Sequence, residues 1–98
     1  MKIAVTYQDG DIFQHFGHTE FFKIYDIENT DIVKTEIVST NGSGHGALAQ
    51  FLHEHSVDTL ICGGIGGGAQ MALSQAGIKL YGGVTGKADD AVNALLNN

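Results

Sequence analysis

The chain has 98 residues, 43% of them hydrophobic, enough for one domain spanning 1–98 around a single core and too few for two. Eleven acidic residues face five basic ones, all lysines, for a net charge of −6. Lys2, Lys23, Lys34, Lys79 and Lys87 are scattered along the chain, so there is no basic stripe for a nucleic-acid partner.

Cys62 is the one cysteine, which excludes an internal disulfide, and no apolar run is long enough to span a bilayer. The expected setting is a reducing cytoplasm, with no membrane partner. In chain order, residues 2–7 alternate, with Ile3 and Val5 on one face, and predict strand 1, which ends in the turn-rich Gln8-Asp9-Gly10-Asp11. A long loop follows. The β-rich runs 20–27 and 32–39 flank Glu28-Asn29-Thr30-Asp31 and predict a hairpin of strands 2 and 3. From Gly46 the period changes from two to 3.6, with Leu48, Phe51, Leu52 and His55 on one helical face. Residues 57–62 form a short apolar run, the mark of a strand buried on both faces, and predict strand 4. A glycine loop then opens a second helix with Ala69, Ala72, Leu73 and Ala76 on one face, ended by Gly77. Residues 78–81 predict strand 5. A last helix turns Ala88, Ala91, Val92 and Leu95 inward and carries Asp89 and Asp90 in its first turn, where they favour the helix dipole.

Chain-crossing rules turn this order into an α/β fold. An antiparallel hairpin on strand 1 and right-handed crossovers give a five-stranded mixed sheet of order 3-2-1-4-5, with strand 2 alone antiparallel. That is a ribonuclease H-like three-layer fold. Open α/β sheets bind ligands beyond the carboxyl ends of their parallel strands. Three loops emerge there: His15-Phe16-Gly17-His18 after strand 1, Asn41-Gly42-Ser43-Gly44-His45-Gly46 after strand 3, and Gly63-Gly64-Ile65-Gly66-Gly67-Gly68 after strand 4, which itself ends in Cys62.

Histidine and thiolate suit iron, zinc and copper, and glycine walls let a bulky inorganic group approach the backbone. His15, His18, His45 and Cys62 are therefore the candidate metal ligands. Phe16, Gly17, Gly64, Gly66 and Gly67 are candidate cofactor-binding residues around them. His45 stands before a helix whose positive end keeps an imidazole neutral and able to ligate, and the N–H groups at the starts of the first two helices suit anionic sulfides.

The stretch from Val5 through Asp9-Gly10 to His15-Phe16-Gly17, with Phe22 and Tyr25 in the next strand, resembles the front half of the dinitrogenase iron-molybdenum cofactor family of the NifX and NifB C-terminal type. Cys62-Gly63-Gly64-Ile65-Gly66, with Ala69, Leu73 and Gly77-Ile78, resembles its back half. The resemblance spans nearly the whole chain. It implies a non-enzymatic carrier of an iron-sulfur or iron-molybdenum type cluster, served by cluster donor and acceptor proteins, with His15 as the principal ligand and His45 as a second. The chain has no cysteine beside its histidine motif, having His18 and Thr19 there instead, so the identity of the cargo is open.

The ligand count agrees with carriage rather than permanent redox service. A conventional cluster is fixed by four thiolates, and one cysteine per chain supplies them only through a homo-oligomer or exogenous ligands. The first alternative is a mononuclear zinc, iron or copper site, or a sensor built on one, using His15, His18 and His45. The second is a small hydrolase with Cys62 as nucleophile and His15 or His45 as base. A two-metal nuclease is excluded because strand 1 offers Ala4, Val5 and Thr6 where carboxylates are needed.

No nucleotide is expected. Gly64-Ile65-Gly66 through Ala69 mimics a dinucleotide fingerprint, but the next strand ends in Tyr81-Gly82-Gly83 without the required acid. The run from Gly82 to Lys87 is one residue short of a phosphate loop, with Ala88 in place of Ser or Thr. His53 and His55 read as helix-end histidines, Phe21, Phe22 and Tyr25 as core, and Cys62 equally as a small buried hydrophobe.

Overall fold

Strand β1 (Lys2–Gln8) lies at the centre of the sheet because its side chains alternate between two apolar layers. Ile3 and Val5 are buried with Tyr25, Ile61, Ala88 and Val92 on one face, whereas Ala4 is buried with Phe22, Leu48, Leu60 and Leu73 on the other. The computed structural model describes residues 1–42 and 45–97, with 45 and 46 described by backbone alone.

The remaining elements follow in chain order: β2 (Asp11–Ile12), a 3-10 turn (Phe16–His18), β3 (Phe21–Glu28), β4 (Asp31–Ser39), α1 (His45–Glu54), β5 (Thr59–Ile61), α2 (Gly67–Gln75), β6 (Lys79–Tyr81) and α3 (Ala88–Leu96). The main path of the sheet is β4-β3-β1-β5-β6. β3 runs antiparallel to β1 and β4, while β5 is parallel to β1 and β6 parallel to β5. Packing of α1 and α2 on one face and α3 on the other makes a mixed α/β sheet with three helices. Each fully buried leucine of the first layer, such as Leu48 or Leu60, contributes about 1.5–3 kcal/mol of apolar burial.

The sheet differs from the five-stranded expectation by one strand. β2 folds back on β1, pairing Tyr7 with Ile12, through a two-residue Asp9-Gly10 turn whose residues have φ of 51° and 92°. Asp-Gly is favoured in such a hairpin because both positions need positive φ. The long loop expected after strand 1 is thus a short strand followed by a 3-10 turn. Asn29 and Thr30, at φ 56° and 85°, make the second tight turn, between β3 and β4. The strand expected over 57–62 narrows to Thr59–Ile61.

The burial of Tyr25 is completed by α3. Its hydroxyl donates to Asp89 Oδ1 at 2.6 Å, and Lys23 Nζ reaches the same oxygen at 2.8 Å. Burial first, then the bond to Asp89, raises the Tyr25 phenol well above its ordinary value. The hydrogen bonds from Lys23 and then Tyr25 hold the Asp89 carboxyl below its own. No helix among the described residues is long and apolar enough to cross a membrane.

Candidate functional site

The segment after β2 and the loop after β5 are joined by backbone. Gly64 N–H donates to the Gln14 carbonyl at 2.7 Å and Phe16 N–H to the Gly64 carbonyl at 3.0 Å, forming a parallel bridge between His15 and Gly64. Such close approach needs glycine. A Cβ on Gly63 would stand 2.7 Å from Gln14 Cα, and one on Gly64 would stand 2.9 Å from the Gln14 carbonyl oxygen. The Gln14 amide adds a third tie, donating to the carbonyls of Ile12 at 3.0 Å and Val84 at 3.1 Å. The segment after β2 and the loops after β5 and β6 are thereby fixed to one another.

On this foundation the 3-10 turn presents its side chains in opposite directions. Phe16 points inward, buried, with its ring 6.4 Å from that of Phe22. His15 and His18 point outward, their ring centroids 6.5 Å apart and edge to face, and Phe13 supports the far side of His15 at 6.1 Å. The turn is closed by His18 N–H donating to the His15 carbonyl and Thr19 N–H donating to that of Phe16. Thr40, just after β4, donates its hydroxyl to the Thr19 carbonyl at 3.0 Å and so fixes where the loop after β4 departs.

The two imidazoles face a cleft of about 600 Å³, lined by His15, Phe16, Gly17, His18, Gly64, Ile65, Gly66, Gly68, Ala69 and Ala72. Its other wall is the start of α2. Gly66 caps that helix without a side-chain hydrogen bond, and no acidic residue stands in its first turn. The first N–H groups of a helix have no intrahelical partner and carry positive partial charge, so this wall favours anions. The chain carries eleven acidic residues, yet none lines this cleft. A second cleft, of about 400 Å³, is lined instead by Asp9 and Glu20 together with Tyr7, Phe13, Phe21 and Ile37.

Of the residues expected at the site, His15, Phe16, Gly17, His18, Gly64 and Gly66 line one cleft. Gly67 is exposed at the start of α2 but does not line it. Cys62 is not brought there. It is fully buried in the α1/α2 layer, and burial pushes its thiol up to about 11. Ser43 and Gly44 lie outside the described residues, as does the His45 side chain. Among the described residues no three His, Cys, Asp or Glu come together in a group able to hold a metal ion.

His55 is a helix-end residue, its Nδ1 bonded to the Phe51 carbonyl at 2.8 Å and its ring stacked on Phe51 at 4.3 Å. Gln14 carries no sequence signal of its importance, since its partners Gly64 and Val84 are brought to it by the fold. Ile65, Gly68, Ala69 and Ala72 also line the cleft without being expected there; Ile65 lies just before α2, and Ala69 and Ala72 are half-buried against the core, so the glycine run beside them is the one local signal available.

The family model described as "Dinitrogenase iron-molybdenum cofactor" matches residues 1–98. An uncharacterized protein of Methanocaldococcus jannaschii, MJ0580, is 31% identical over 101 residues, covering 98% of this chain and 86% of that protein. Among solved structures, PH0822 is similar at a TM-score of 0.94 and 29% identity, over 99% of this chain and 89% of that one. The apo form of the orange protein from Desulfovibrio gigas is similar at a TM-score of 0.83 and 29% identity, over 98% and 87%.

Proposed function

The chain belongs to the dinitrogenase iron-molybdenum cofactor family, and from that premise we propose that it binds and passes on a preassembled iron-sulfur or iron-molybdenum type cluster in the His15/His18 cleft. One observation carries the reading. Two outward imidazoles and a helix start without a side-chain cap bond face the same carboxylate-free space in a chain of net charge −6. The imidazoles are donors for iron, and the N–H groups of α2 suit the anionic sulfides of a cluster. A few imidazole ligands hold such a cargo without enclosing it, which allows release to an acceptor. The orange protein, solved in its apo form, supports the reading because an apo form implies a holo form.

His45 is the proposed third ligand, since it begins α1 just beyond the Thr40 tie to the His15 loop. Cys62 is assigned to the core instead, and the hydrolase reading loses its nucleophile: a reactive cysteine needs a lowered thiol pKa, whereas burial raises this one to about 11. The N–H groups at the start of α2 beside the imidazoles suit anionic sulfides, which a mononuclear site does not carry, and this favours a cluster. We also read the architecture as ribonuclease H-like, and the setting as cytoplasmic with donor and acceptor proteins as partners.

The test is anaerobic titration of the purified chain with an iron-sulfur or iron-molybdenum cluster, followed by visible absorption, with His15→Ala and His45→Ala alongside. Saturation near one cluster per chain, weakened by His15→Ala, is the expected result. Failure of the unaltered chain to take up any cluster would refute carriage.

A further inference from the structure

β4 is built differently from the other long strands. None of its nine residues is buried, and Val33 and Ile37 are each 54% exposed. One edge pairs with β3, and the other pairs with no strand among the described residues. An edge of this length with apolar side chains is a template for another strand.

The ladder determines which backbone groups face outward. Thr40 N–H donates to the Glu20 carbonyl, and bonded pairs in an antiparallel ladder recur at every second residue. Glu36 and Lys34, opposite Ile24 and Asp26, therefore bond inward to β3, leaving the N–H and C=O of Thr35 and Ile37 facing outward. A symmetric antiparallel partner has to match outward-facing residues with outward-facing residues. An axis through Thr35 does this and sets Lys34 opposite Glu36 twice, with Val33 opposite Ile37 twice. The neighbouring permitted axes, through Lys34 or through Glu36, put like charges face to face.

We propose that a second copy of this chain is the partner of β4, the two strands pairing antiparallel about a two-fold axis at Thr35 so that one sheet runs through the dimer. Self-complementarity of this kind is what an isologous interface requires. Opposite-charge and apolar cross-strand pairs each add to the backbone bonds. The proposal does not rest on cluster carriage, but it has a consequence for it. β1 and β4 run the same way, both being antiparallel to β3, so antiparallel β4 strands point the two His15 clefts in opposite directions. Each copy keeps its own site, and the two Cys62 thiols are not pooled.

The experiment is sedimentation velocity on the full chain across a concentration series. A reversible dimer is expected. Glu36→Lys brings lysines face to face across the axis and should weaken the dimer roughly tenfold or more, equivalent to about 1.4 kcal/mol. The swap Lys34→Glu with Glu36→Lys restores the complementarity and should restore the dimer. Thr35→Pro deletes an outward N–H that β3 does not use and should give a monomer with an unchanged circular dichroism spectrum. A chain that stays monomeric at every concentration would overturn the proposal, as would a dimer that Glu36→Lys leaves unmoved or a swap that fails to recover it.

Discussion

Gly63-Gly64 and Gly66-Gly67-Gly68 belong to one run of sequence, yet glycine is needed in the two halves for different reasons. At the first pair a Cβ would collide with Gln14, so the missing side chains make room for the protein's own backbone. Around Gly66, Gly67 and Gly68 a Cβ would meet nothing within 4 Å, and at Gly66 and Gly68 that open space belongs to the cleft. Glycine of the first kind holds the His15 loop in place, and glycine of the second kind leaves room for what the loop presents.

Substitution should separate the two halves. The largest effect is expected from Gly63→Ala, whose Cβ has to displace the Gln14 backbone. It should cost about 2–3 kcal/mol in urea unfolding and loosen the His15 loop, weakening cargo binding as well. Asp89→Ala comes next because it leaves the buried Tyr25 hydroxyl without an acceptor. A loss of about 1–2 kcal/mol by denaturation is expected, on the other face of the sheet from the cleft and without change in cargo binding. Gly68→Leu should do the reverse: unfolding within about 0.5 kcal/mol of the parent, with cluster uptake reduced by a side chain projecting into the cleft. Equal behaviour of Gly63→Ala and Gly68→Leu would erase the distinction.

Two pH effects are smaller. The Asp89 carboxyl is held low, chiefly by the bond from Lys23, so its contribution is present above the ordinary carboxylate pKa and lost as the pH falls through the depressed folded value. Cys62 has the opposite sign. Its thiol is raised by burial, so its contribution is complete below 9.0 and lost as the pH rises toward about 11. Urea midpoints across both windows should fall at each end. At pH 8 a thiol reagent should label Cys62 only on unfolding, and rapid labelling of the folded chain would place the thiol at the surface.

The elements with clear period were legible in the sequence. The alternation of Ile3 and Val5, the apolar run at 57–62 and the helical spacing of Leu48, Leu52 and Leu73 each correspond to an element and a buried face. β2 was not read, although Asp9-Gly10 signals a hairpin, because two residues are too few to show a period. The His15 motif and the glycine run were recognisable as site candidates. Which glycines serve the chain and which the cleft depends on Gln14, a contact across about fifty residues that no local pattern encodes. Cys62 was ambiguous for a similar reason. A cysteine ending an apolar strand can be read as core or as ligand, and only the packing of Leu48, Leu60 and Leu73 in the same cluster separates the two.

The most direct test of imidazole-held cargo is pulsed EPR of the chain loaded with a paramagnetic iron-sulfur cluster, using protein labelled with nitrogen-15 at histidine. Ligation through the cleft requires a strong nitrogen coupling that changes with the label and is lost in His15→Ala. A loaded chain with no histidine coupling, or one unaltered by His15→Ala, would contradict it.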